Sequence, residues 1–425
     1  MEPSAGRPLF LLSERRRARL AVALYFCLNG VLLATWAARI PAVQARLALE
    51  PATLGIVLFS GAAGALAGMS GGGYLAARYG SRRVVILATL SLCLALALAA
   101  IAPSFPLLII VLALLGASSG AMDVSMNTQG VAVERLYGRP ILNSFHACYS
   151  LGSLGGALVG GLLAGWGLPL LAHFGGLALA SAILALGTAP ALLPSSNDQS
   201  LPAGEERARA SFARPTRATL ALGVIAFCAL FSEGAMADWS ALYLNSNLHS
   251  GPGLAPSGYA TFSIMMMVSR GFGDALTLRL GARRMVRLGG LLAACGLLLV
   301  LLTPWLPLAL VGFALIGSGL GVCFPLTLSA AGSLASQGQA TSTALAAVAT
   351  CGYAGLMAGP PTIGFAASLL GLRLALGIIC LLCLCATVLA GAVGQSQPPS
   401  PPGSFQPEER RESSTAPAPP APSDP

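Results

Sequence analysis

The residues in this chain best suited to chemistry are an acid and an amide four positions apart, Asp123 and Asn127, in the stretch LGASSGAMDVSMNTQG at 115–130. The surrounding segment is long and apolar enough to cross a bilayer, where an ionisable side chain is costly and marks an ion or substrate pathway. The i, i+4 spacing puts both groups on one helix face. A carboxylate in a low-dielectric site holds a proton more readily than in water, so Asp123 is a candidate to load and release one near neutral pH. The alternative is an acid that only pins helices through Ser, Asn or backbone donors.

Further candidates have the same character. Glu233 lies well inside an apolar segment and is a second proton-coupling candidate that also suits solute binding. Asp238 stands near the end of that segment beside Trp239, which reads as an interfacial anchor. Arg39 ends another span at a similar level, so Arg39 and Asp238 could pair as an outer gate or could be two solvated charges. Asn143, His146 and Tyr149 recur every three residues as one polar stripe. With Asn127 they are the substrate-binding candidates, and His146 could relay protons or remain a neutral hydrogen-bonding group. Arg270 and Asp274, at i and i+4, suit a structural ion pair, because a half-buried arginine without a partner is costly. His173 and His249 read as accidents of topology or surface groups.

Other chemistries lack their residues. The sequence has no P-loop, His/Cys metal cluster or nucleophile–base constellation, so no metal, cofactor or enzymatic activity is implied. Cys380, Cys383 and Cys385 have no histidine or acid beside them, and all ten cysteines read as small buried hydrophobes.

The elements that must position these groups are membrane spans. Of 425 residues, 55% are hydrophobic and 9% charged, whereas soluble domains carry about 25% charged residues. A bilayer core of about 30 Å needs roughly 20 apolar residues per helix. Twelve such stretches occur, at 18–38, 53–76, 84–102, 106–131, 141–165, 168–189, 218–245, 257–278, 285–303, 306–331, 341–369 and 372–394. The 24 basic residues are all arginine. Their clusters lie between spans and track membrane topology, not nucleic acid. With the N-terminus in the cytoplasm, 20 arginines fall on that side, against Arg39, Arg46 and Arg373 opposite and Arg270 within a span. The positive-inside rule then makes both termini cytoplasmic.

The expected organisation is a cytoplasmic N-terminal segment (1–17), a six-helix bundle (18–189) and a polar cytoplasmic linker (190–217). A second six-helix bundle (218–394) and a disordered Pro-rich tail (395–425) follow. The bundles are related by repetition. A shift of 201 carries Phe26-Cys27 onto Phe227-Cys228 and Arg78-x-Gly80-x-Arg82-Arg83 onto Arg279-x-Gly281-x-Arg283-Arg284. It also carries Ala113-Leu114-x-Gly116-x3-Gly120 onto Ala314-Leu315-x-Gly317-x3-Gly321, and a shift of 203 carries Gly152 and Gly156 onto Gly355 and Gly359. Six spans per repeat keeps the halves parallel, an arrangement found in secondary transporters with a site between the halves. The shift of 201 places Phe324 and Leu328 opposite Asp123 and Asn127, so packing symmetry does not require the acid and amide.

The loop Gly73-Tyr-Leu-Ala-Ala-Arg-Tyr-Gly-Ser-Arg-Arg83 resembles the major facilitator superfamily motif G-x-L-A-D-R-x-G-R-R, with a degenerate copy at 274–284. The motif's aspartate is Ala77 here, so any contact made by that acid does not carry over. The matching Arg78, Gly80, Arg82 and Arg83, with Arg279, Gly281 and Arg283, suit cytoplasmic gating. Segments 120–134, 143–146 (NSFH) and 233–240 (EGAMADWS) resemble uncharacterised bacterial inner-membrane permeases. The acid-x3-Asn pair is also similar to that of fucose:proton symporters, where the acid is implicated in proton coupling.

The resemblance implies an all-α polytopic protein, monomeric in the bacterial inner membrane, moving a small molecule by alternating access. Proton-coupled uptake of a sugar-like or other small polar compound is the reading the resemblance favours. Proton-driven efflux of small amphipathic compounds, or a non-transporting receptor on the same fold, are the alternatives.

Overall fold

The computed structural model describes residues 7–138, 141–194, 217–334 and 341–395. The expected linker beyond residue 194, the Pro-rich tail beyond 395 and Arg139 lie outside the described residues.

Twelve long helices follow one another in these residues. They are α1 (Arg7–Leu47), α2 (Pro51–Tyr79), α3 (Ser81–Ile101), α4 (Phe105–Tyr137), α5 (Leu142–Gly165), α6 (Leu170–Thr188), α7 (Arg217–Ser246), α8 (Ser257–Leu280), α9 (Ala282–Leu302), α10 (Leu306–Leu334), α11 (Thr341–Leu370) and α12 (Leu372–Leu389). A single turn, Gly251–Leu254, precedes α8. No strand occurs among the described residues.

Ten of the twelve are long and apolar enough to cross a membrane; α8 and α11 fall short of that apolarity. These two adjoin the other half of the molecule, and polar groups in a span are tolerated where they face a protein interior or cavity. Large side chains such as Leu87, Ile110, Leu179, Leu374 and Val388 are more than half exposed on the outside of the bundle. An apolar surface on this scale belongs in lipid.

Several helices outrun the expected spans. α1 starts at Arg7, not residue 18, so most of the expected N-terminal segment is helical, and α4 continues to Tyr137. Apolarity marks where a helix leaves lipid, not where its hydrogen bonding ends. α4 ends at Gly138, whose φ of +63° is left-handed and whose N–H reaches the Glu134 and Arg135 carbonyls, a glycine stop that side-chain-bearing residues resist. Across the gap to α5, the Glu134 carboxylate accepts from the Ile141 and Leu142 amides at 2.7 and 2.8 Å.

Helix pairing repeats as the sequence does. α1 packs on α5, α2 on α4, and α3 on α4 and α6; adding six to each label gives the pairs of the second half. Across the halves, α2 meets α11 and α5 meets α8, two contacts exchanged by the same operation. The recurring spacing of small residues explains the tightest pairs. A Cβ on Gly116 or Gly120 would collide with the Gly61 or Ala65 carbonyl of α2, and Gly317 stands likewise against Phe262 of α8.

Gly80 and Gly281, pseudo-equivalent in sequence, adopt nearly one conformation, φ/ψ of 89°/143° and 80°/148°. Each turns the chain between consecutive helices while its N–H closes the preceding one on Ala76 or Thr277. This region is open to glycine almost alone. Gly80→Ala is therefore expected to cost about 1–3 kcal/mol, read as a lower melting temperature of the purified protein.

At the arginine-poor end the halves touch backbone to backbone. Gly364 of α11 lies against Pro51 and Gly55 at the start of α2, and Gly253 lies against Gly161 and Gly165 at the end of α5. Toward the other end, Asn143 and His146 of α5 and Arg270 and Asp274 of α8 are exposed although these helices adjoin.

Candidate functional site

α4 carries the acid because its apolar face is already committed to packing. Gly116 and Gly120 fix one strip against α2, while buried Met122 and Met126 fill the core. Asp123 and Asn127, on another strip, remain half-buried. The Asn127 amide donates to the Asp123 backbone carbonyl at 2.9 Å and to its carboxylate Oδ1 at 3.2 Å. That holds the carboxylate without neutralising it. Asp123 also lies within electrostatic range of His146, whose ring packs edge-on against Phe26 with centroids 5.1 Å apart.

Tyr149, one turn along α5, lies near groups of both halves. It faces Asp123 on its own side and Tyr259 and Glu233 on the other. Tyr353 of α11 in turn faces Asp123 from the second half. The predicted Asp123, Asn127, His146, Tyr149 and Glu233 are thus drawn into one constellation. Asn143, at the start of the same α5 stripe, is exposed nearer the arginine-rich end. The second half offers no acid opposite Asp123. Phe324 stands there, and its ring packs where Gly352 leaves room.

Two expected ion pairs are corrected. Arg270 does not pair along its own helix with Asp274, which is exposed. Its Nη2 reaches across to Glu233 Oε2 on α7 at 3.3 Å, and its Nε donates to the Gly321 carbonyl, also at 3.3 Å. The helix-spacing rule identified a possible partner, but helix packing places a better-situated acid on the neighbouring helix. The Arg270–Glu233 pair is loose and half exposed, with 45% and 31% of the side chains accessible. A pair of this kind contributes little stability and is easily exchanged.

Arg39 and Asp238 do not pair either, although the end they were expected to gate is closed. Arg39 Nη2 donates instead to the Leu168 carbonyl, 2.7 Å away in the α5–α6 loop. Asp238 is half-buried on α7, near Tyr259. Trp239 is not an interfacial anchor: it is fully buried, because α7 runs through the middle of the molecule. His173 is no surface group, being 3% exposed.

The motif loops sit at the arginine-rich end. Arg78 donates to the Tyr74 hydroxyl at 3.1 Å and stacks over the Tyr79 ring, both on its own helix. Arg82 is half-buried within range of Tyr25, and Arg83, Arg279 and Arg283 are exposed.

Sequence reasoning missed Tyr259 and Tyr353. Tyr353 had a signal, since it precedes Gly355 much as Tyr149 precedes the matching Gly152. Gln129 was also passed over within the 120–134 segment. It is buried, donates to Ser81 Oγ at 2.7 Å and exchanges two bonds with the Leu193 backbone, tying α4 to α3 and to the chain after α6.

The sequence profile described as Major Facilitator Superfamily matches residues 20–353, a range that holds the glycine-packed α2–α4 pair, the polar constellation and both motif loops. The chain belongs to the major facilitator superfamily. It is 34% identical over 382 residues to an uncharacterized MFS-type transporter of Yersinia pestis, covering 90% of this chain and 96% of that one. It is also 34% identical over 356 residues to the membrane protein MosC of Rhizobium meliloti, covering 84% and 85%. Among solved structures, a bacterial homolog of the human lysosomal transporter Spinster superposes with a TM-score of 0.72 at 14% identity, covering 89% and 96%. The nucleoside transporter NupG superposes with a TM-score of 0.68 at 16% identity, covering 89% and 98%. Membership of this superfamily makes the chain a multi-pass membrane protein of a transporter family, with a small molecule as its substrate.

Proposed function

We propose that this superfamily member is a secondary active transporter that takes up a small polar, sugar-like solute together with protons across the bacterial inner membrane. The observation that carries the reading is the constellation around Tyr149. Asp123 from one half and Glu233 from the other face one tyrosine cluster between the bundles. An acid in a span is costly and needs a function or a partner. Asp123 has an amide partner, and Glu233 has an arginine held loosely enough to release.

In this scheme Asp123 and Glu233 carry the protons. Asn127, Asn143, His146, Tyr149 and Glu233 hold the solute, and the arginines and glycines at 78–83 and 279–283 bear on the cytoplasmic gate. On this reading the arginine distribution orients the closed end outward, and the exposed polar groups of α5 and α8 toward the cytoplasm. Protonation of Asp123 then biases the equilibrium between inward-open and outward-open states by its different cost in each. The polar stripe on α5 favours a hydroxyl-bearing solute, because closing the site over a ligand that cannot hydrogen-bond would strip these groups of water and leave them unpaired.

Proteoliposomes under an imposed pH gradient test the proposal against a panel of radiolabelled sugars and polyols. Accumulation that collapses with a protonophore is expected for at least one of them. Expulsion of amphipathic compounds on the same gradient, or binding without flux, would replace uptake by efflux or by sensing.

A further inference from the structure

We propose that a pocket at the closed, arginine-poor end binds a monoanion with a small apolar body, and that its occupation holds that end closed. The pocket has a volume of about 300 Å³ and is walled by Ala38, Arg39 and Ala42 of α1, by Leu168 between α5 and α6, and by Pro252 and Ala255 of the second half. Apart from Arg39 no charged residue lines it.

Arg39 is 5% exposed. One of its nitrogens, Nη2, is engaged by the Leu168 carbonyl, while Nε and Nη1 are buried with no partner among the described residues. Behind it stands His173, within electrostatic range and 3% exposed, with neither ring nitrogen partnered. Among the described residues no acid meets this guanidinium, and a buried cation is strongly destabilising unless a counter-charge and hydrogen bonds reach it. Guanidinium presents its N–H groups in a planar fork that matches the two oxygens of a carboxylate or phosphate. The Ala, Pro and Leu walls suit an apolar body and disfavour a second charge. The chemistry is thus an anionic head on an apolar group, supplied either by a free organic carboxylate or by the phosphate of an anionic lipid.

The walls come from both halves, beside the contact of Gly253 with Gly161 and Gly165. A ligand bridging them binds the closed end better than the separated one and shifts the population toward it. This site is separate from the Asp123 constellation and does not depend on which solute is carried.

The test is thermal unfolding of the full chain in nanodiscs. Benzoate is titrated into discs of phosphatidylcholine, and discs containing phosphatidylglycerol are measured without added carboxylate. A ligand that binds only the folded state raises the melting temperature saturably. Such a rise is expected from at least one source, abolished in Arg39→Gln and in Ala42→Leu but retained in Asp123→Asn. Ala42→Leu fills the pocket and leaves the arginine in place, so it decides the question if Arg39→Gln does not fold. A rise from benzoate identifies a free carboxylate as a ligand, and one from phosphatidylglycerol identifies a lipid headgroup. No rise from either source, or a rise that survives in Ala42→Leu, overturns the proposal.

Discussion

Asp123→Asn is expected to abolish accumulation of solute on a pH gradient while the protein still folds and inserts. A gradient of one pH unit supplies about 1.4 kcal/mol per proton, or roughly tenfold accumulation at one proton per solute. Without a group that loads and unloads the proton, that ratio falls to about one. Counterflow of solute on both sides of the membrane, which needs no net proton movement, should persist. The substitution is nearly isosteric, and the Asn127 bond to the 123 backbone carbonyl, at 2.9 Å, does not involve the carboxylate. Folding is therefore spared, which separates coupling from helix pinning. Measured in proteoliposomes, gradient-driven accumulation equal to that of the wild type would defeat the role assigned to Asp123.

The case for Asp123 could be read in sequence because cost exposes it: an acid between glycines and methionines in a span needs a reason. Its partner could be read as well, since i, i+4 spacing fixes Asn127 on the same face. The repeat gave the pairing of helices, because glycines that allow close approach recur at 201 and 203 residues. Relations between helices were less legible. Spacing linked Arg270 to Asp274, but tertiary packing turned it to Glu233 on α7. Depth along a span suggested that Arg39 and Asp238 share a level, yet rotation about each helix axis decides where a side chain points, and Arg39 points into the α5–α6 loop. Tyr259 and Tyr353 escaped for the same reason, since an aromatic residue in an apolar run looks like core until a neighbouring half supplies the acid. Trp239 was placed by its nearness to a span end and His173 was read as an accident of topology or a surface group, but burial follows a helix's position in the bundle. α7 runs through the interior, and His173 lies beneath α1 and α5.

The glycines separate a folding requirement from a transport requirement, and two substitutions of equal size should show it. Gly120→Leu puts a side chain against the Ala65 carbonyl within one bundle. The α2–α4 contact must persist in every state of the cycle, so this variant is expected to yield little folded protein. Gly364→Leu is different. Its Cβ would lie 2.6 Å from the Pro51 carbonyl oxygen and 2.9 Å from the Gly55 Cα, and both belong to the opposite half. Backbone cannot retreat as a flexible side chain can, so this end can no longer close. Alternating access, however, includes a state in which the two halves part there, and in that state the leucine is accommodated. The variant is thus expected to fold, to lose transport entirely and to rest with this end open. Spin labels at Leu162 and Leu254, exposed beside the Gly161–Gly253 contact between the halves at the same end, report it in a cysteine-replaced background. The distance between them should be longer in Gly364→Leu than in the parent protein. Transport at the parental rate, or a folded yield as low as that of Gly120→Leu, would show that this interface is fixed packing and not a gate.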